Sequence, residues 1–137
     1  MASDITEAQR RFVAERAAHR CEYCLLHEDD SYSPLQIDHI ISRKHGGLSE
    51  LDNLAYACLR CNAWKGSDVG SVDPQTGEFV SLFNPRRHRW SDHFVFEGAV
   101  IKPLTAAGNA TARLLKLNLD KRVTERLLLA AAGRYPR

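Results

Sequence analysis

Apolar residues recur along this chain with two different periods. Between positions 4 and 18, Ile5, Ala8, Phe12, Val13 and Ala17 fall at near-helical spacing, and Asp4 with Glu7 stands in a capping-box relation; the pattern predicts a first helix. The period then shortens. "EDDSYSP" is polar and turn-like, "LQIDHII" reads as a strand, "SRKHGG" as a loop with two glycines and "LDNLAYAC" as a second strand. A helix is expected to begin in "CLRCNAWKGS", with Gly66 ending or kinking it. Beyond it, "GEFVSLF", "HFVFE" and "AVIKPL" predict short strands. Two helices follow, over residues 105–117 and 120–132, the second with an apolar stripe of Val123, Leu127, Leu128 and Ala131. The terminal "GRYPR" is expected to fray. There is no repeat, low-complexity tract or long linker, so the pattern describes a small α+β protein.

Size and charge narrow this only slightly. At 137 residues, the chain has the length of one domain with a modest core. Its formal net charge of +2 permits a polyanionic partner without pointing to one. No apolar run reaches the length of a membrane span, and "MASDITEAQRRFVAERAAHR" is a charged helical pattern rather than an export leader; a cytoplasmic protein with no membrane partner is expected.

The four cysteines change the picture. Cys21 and Cys24 form one C-x-x-C and Cys58 and Cys61 another, with 33 residues between the pairs. In a reducing compartment such paired knuckles suit tetrahedral coordination of Zn²⁺ better than disulfides. Four buried free thiols or a redox pair are the plainer alternatives. A zinc ion held by four thiolates has no position left for water, so its expected role is structural.

Between and just after the knuckles, residues 35–66 read as strand, strand and helix, and this unit carries Asp38, His39, Asn53 and Asn62, with Lys65 one turn after Asn62. A neutral imidazole is suited to deprotonating water, and a carboxylate with an amide oxygen suits Mg²⁺ or a similar hard ion. Phosphodiester hydrolysis uses both parts: the base makes the nucleophile and the ion draws charge from the phosphate.

In residue types and order, "CEYC" followed by "IDHIISRKHGGLSELDNLAYACLRCNAWKG" resembles the zinc-containing, Cys₄ branch of the HNH endonucleases, with their ββα-metal, treble-clef-like core. Asp38-His39 matches the family's Asp-His pair, Asn53 its middle Asn and Asn62 its third position, at spacings of 14 and 23 residues from His39. The resemblance covers residues 21–66, and residues 77–133 are similar to a C-terminal extension of a bacterial group of these proteins. It implies His39 as general base, Asp38 and Asn62 as ligands of a catalytic Mg²⁺ or Mn²⁺, and Asn53 as a brace of the loop or of His39. It also implies a zinc ion stapling the knuckles, and DNA cleavage leaving 5′-phosphate and 3′-hydroxyl ends.

Each role has a structural alternative. Alone, His39 would be read as a hydrogen-bonded core histidine, and Asn53 and Asn62 as turn or cap amides; it is the set, beside Asp38, that favours chemistry. Arg43 and Lys44 after the Asp-His pair, with Arg60 and Lys65 around the second knuckle, are the expected phosphate contacts of a double-stranded DNA partner, although a lone charge usually marks a solvated face. Trp64 and Trp90 are expected in the core. Strict alternation puts Asp38 and His39 on opposite faces of a strand, so the strand is expected to twist, bulge or end there. A zinc-dependent nucleic-acid-binding module without cleavage stays open, as do monomer and homodimer.

Overall fold

The computed structural model describes residues 4–137. Helix α1, Glu7–Arg16, opens with a capping box two residues on from the expected one: Thr6 accepts from the Gln9 amide while Gln9 reaches back to the Thr6 amide. A serine or threonine hydroxyl reaches the third amide along without strain, and Thr6 is the residue positioned to do so.

Strand β1, Gln36–His39, pairs antiparallel with β2, Leu54–Ala57, in a register that sets Asp38 opposite Ala55 and His39 opposite Leu54. The ladder is shorter than the apolar pattern suggests. One further bond joins the Ile40 amide to the Asn53 carbonyl at 2.9 Å, and then the Asn53 side chain takes over the Ile41 backbone. Helix α2, Leu59–Lys65, follows at once, capped by Cys58 and stopped at Gly66, whose φ of +53° favours glycine. So β1, β2 and α2 form a ββα unit bracketed by the two knuckles.

Two more antiparallel pairs complete the strands: β3, Gly70–Val72, with β4, Phe79–Ser81, and β5, Phe94–Glu97, with β6, Val100–Pro103. A one-turn helix α3, Trp90–His93, leads into β5. Neither β3 nor α3 is visible in the apolar pattern: Gly70 and Ser71 stand between Val69 and Val72 at β3, and α3 is a single turn with Ser91 and Asp92 at its centre. Helices α4, Ala106–Leu114, and α5, Asp120–Ala131, end the chain. Tyr23, Leu35, Ala55, Ala57, Phe83, Phe94, Ile101, Leu115 and Leu117 pack around the cysteines in the core. Trp90 stacks on Phe94 and Phe96 and donates to the Tyr23 carbonyl, which ties the C-terminal half to the first knuckle.

Helix α5 corrects the expected stripe. Leu127 and Leu128 are 54% and 68% exposed, whereas Arg122 and Arg126 are buried. What the helix faces is polar backbone and sulfur: Arg122 donates to the Leu115 carbonyl at 2.8 Å and to Cys61 Sγ at 3.3 Å, and Arg126 to the Ala99 carbonyl at 2.8 Å. Satisfying those acceptors outweighs burying two leucines. The terminal residues are held rather than frayed, since Tyr135 is buried with its hydroxyl on the Cys24 carbonyl and Arg134 pairs with Asp30. Among the described residues no helix is long and apolar enough to cross a membrane.

Candidate active site and metal centre

Cys21, Cys24, Cys58 and Cys61 converge in the core with their sulfurs within 4.8 Å of one another. Tetrahedral zinc with Zn–S near 2.3 Å sets its sulfurs about 3.8 Å apart, and the Cys24 to Cys58 separation is 3.7 Å. Backbone amides of Tyr23 and Cys24 point at Cys21 Sγ, and that of Cys61 at Cys58 Sγ, as knuckle turns require. The donor set therefore fits a structural zinc ion, with Arg122 supplying positive charge beside Cys61. The centre joins the turn before β1 to the start of α2, which is how residues 23 positions apart come to share one region.

The other side of β1 borders an open groove of about 750 Å³ whose lining includes Asp4, Arg10, Gln36, His39, Arg43 and Asn62. His39, the last residue of β1, presents Nε2 to Ser49 Oγ at 2.9 Å. Ser49 in turn donates to Asp4 Oδ1 at 2.6 Å, and Asp4 pairs with Arg43 at 2.9 Å. The Asp4 carboxyl is held below the usual carboxylate range, first by the Ser49 hydrogen bond and then by Arg43. Asn62, on the first turns of α2, donates to Gln36 Oε1 at 2.5 Å.

Asn53 sits behind the groove. Its amide nitrogen donates to the Ile41 and Leu48 carbonyls and its oxygen accepts from the Ile41 amide, all at 2.9 Å, so one side chain closes the loop that follows His39. Gly47 lies under that closure, where a Cβ would overlap the Ile41 carbonyl.

Asp38 is not part of the groove lining. It points to the opposite, buried side of the strand, 3% exposed, where Tyr23 donates to Oδ2 at 2.7 Å and the Lys65 ammonium lies 3.3 Å from Oδ1. Lys65 also donates to the His39 and Ile40 carbonyls, at 3.2 and 3.1 Å, so its three N–H groups meet three oxygens. Burial pushes the Asp38 carboxyl up and Lys65 pulls it down. The strand does end at His39, yet alternation persists up to that point and keeps Asp38 and His39 apart. With both carboxylate oxygens engaged and an ammonium beside one of them, Asp38 and Asn62 as arranged do not fit a shared divalent ion.

Two of the expected phosphate contacts are corrected. Lys65 is 2% exposed and bound to Asp38, and Arg60 makes a two-pronged pair with Glu125 of α5, at 2.6 and 2.9 Å, beside a separate cavity near the zinc ligands. Arg43 borders the groove, and Lys44 is exposed on the same turn, Arg43–His45. Arg86 of "NPRRHRW" instead pairs with Glu22 and bonds the Leu54 carbonyl. Ser49, Tyr23, Gln36 and Arg10 carry no distinguishing sequence spacing; only the fold reveals that they surround the Asp-His pair.

Residues 21–68 match the family model of the HNH endonucleases. No curated protein and no solved structure matches the chain. That segment carries both knuckles, β1, β2 and α2, so the likeness to the HNH endonucleases spans the whole ββα unit.

Proposed function

We propose that this protein hydrolyses phosphodiester bonds in double-stranded DNA, with His39 as the general base that takes a proton from the attacking water. The observation that carries the reading is the placement of His39 in an open groove: the imidazole lines the same cavity as Arg10, Asn62 and the Arg43–Asp4 pair. Arginines at a groove rim hold phosphate oxygens, and a base within reach of that position activates water. The HNH match over residues 21–68 supports the reaction class. Zinc in the Cys₄ centre supplies no chemistry and keeps α2 against β1. Asp38, paired with Lys65 on the buried side of β1, and Asn62, in the groove, are not arranged to hold a catalytic Mg²⁺ or Mn²⁺ between them.

One observation favours the rival reading of a DNA-binding module without cleavage, namely the burial and neutralisation of Asp38. Plasmid nicking in the presence of Mg²⁺ or Mn²⁺ separates the two. Wild type is expected to relax supercoiled plasmid, and His39→Ala to lose on the order of 10²–10⁴-fold in rate with its melting temperature unchanged. Nicking by His39→Ala at the wild-type rate removes the base; DNA binding with no nicking by the wild type favours the rival.

A further inference from the structure

The geometry points to Ser49 as the positioning residue for His39: it accepts a hydrogen bond from Nε2–H and so leaves Nδ1 as the nitrogen that takes a proton from water. This rests on the reading of His39 as the base.

The assignment follows from counting hydrogens. An ionised carboxylate only accepts, and Asp4 is kept ionised by its two partners. The Ser49 hydroxyl has one hydrogen, and the 2.6 Å contact with Asp4 Oδ1 uses it. What Ser49 Oγ offers to His39 Nε2, 2.9 Å away, is a lone pair. Two facing lone pairs repel, so Nε2 carries the proton; a neutral imidazole has one N–H, so Nδ1 is the free base. The frame around the contact is independent of it. Gln9 of α1 donates to the Ser49 carbonyl at 3.0 Å, Arg43 holds Asp4, and Asn53 closes the loop at Leu48. Asp4, just ahead of helix α1 and outside the matched HNH segment, thereby contributes the acceptor that ends the chain Asp4–Ser49–His39.

The test reads the ring directly. Nitrogen-15 correlation spectra of the neutral His39 ring in the full-length zinc-loaded protein are expected to show the Nε2–H tautomer in wild type and in Ser49→Thr, and a mixture in Ser49→Ala. Asp4→Ala frees the serine hydrogen and is expected to move the ring toward Nδ1–H. In plasmid nicking, Ser49→Ala should lose on the order of 10–100-fold in kcat with KM unchanged, and Ser49→Thr should recover most of it. An Nδ1–H wild-type ring overturns the inference, as does Ser49→Ala with the wild-type tautomer and kcat. Wild-type protein that shows Nε2–H but never nicks DNA sinks the nuclease reading and leaves the Ser49 assignment supported.

Discussion

The Lys65 ammonium lies 3.3 Å from Asp38 Oδ1, with the two side chains only 2% and 3% exposed. This buried pair locks α2 to β1 directly beneath His39, because the same ammonium holds the His39 and Ile40 carbonyls. Removing one member of such a pair strands a charge and costs about 3–5 kcal/mol, whereas replacing both by apolar groups is often neutral. Lys65→Met is therefore expected to destabilise strongly and Asp38→Leu/Lys65→Met to recover much of the loss, as read by urea midpoints. The pH dependence has a definite sign. Burial raises the Asp38 carboxyl, and without Lys65 the folded state binds a proton more tightly than the unfolded chain does, so the loss in Lys65→Met should grow as pH rises and shrink as it falls. A penalty independent of pH contradicts the assignment of the stranded charge.

Zinc removal should unfold the ββα unit rather than merely inactivate it. Structural zinc contributes about 10–16 kcal/mol in small zinc modules, far more than a single contact, and here its ligands bracket β1, β2 and α2. Strong chelators and Cys58→Ser are expected to abolish the cooperative melting transition. Arg122→Met should keep the metal at equilibrium but release it faster to a chromogenic chelator, because Cys61 Sγ loses its guanidinium donor at 3.3 Å.

Asn53 ties three backbone groups of the loop after His39. At about 0.5–1.5 kcal/mol per bond, Asn53→Ala is expected to lower stability by about 2–4 kcal/mol and to raise amide exchange at Ile41. Unchanged exchange there would show that the loop closes without it.

Arg60 and Arg43 should part company in a DNA-binding assay. Arg60 borders a separate cavity on the zinc side, so Arg60→Ala is expected to leave affinity for plasmid DNA near wild type, while Arg43→Ala, in the groove beside Asp4 and His39, lowers it and flattens its salt dependence. The Arg60–Glu125 pair, partly exposed, contributes no more than about 1 kcal/mol. Because its Glu125 carboxyl is lowered, chiefly by the Arg60 hydrogen bond, that contribution is present above the usual glutamate range and is lost as pH falls through the folded value. A large affinity loss in Arg60→Ala would restore it as a phosphate contact.

Much of this protein is determined by sequence alone. The two C-x-x-C pairs converge as their spacing implies, since four thiolates within knuckle turns have few ways to be satisfied except around one ion. Period and punctuation placed α1, β1, β2, α2, β4, β5, β6, α4 and α5 close to their observed positions, and residues 21–68 match the HNH family they resemble. What the sequence did not reveal are directions and partners. A lysine one turn after Asn62 reads equally well as a phosphate contact or a buried counter-ion, and only the packing of α2 on β1 turns it inward to Asp38. The leucines of α5 read as a core stripe until the acceptors across from them, Cys61 Sγ and the Leu115 and Ala99 carbonyls, are seen to require Arg122 and Arg126. Ser49 has no periodic mark at all. Hydrogen-bond satisfaction in a dense interior depends on groups far apart in the chain, and that is a property only the tertiary structure possesses.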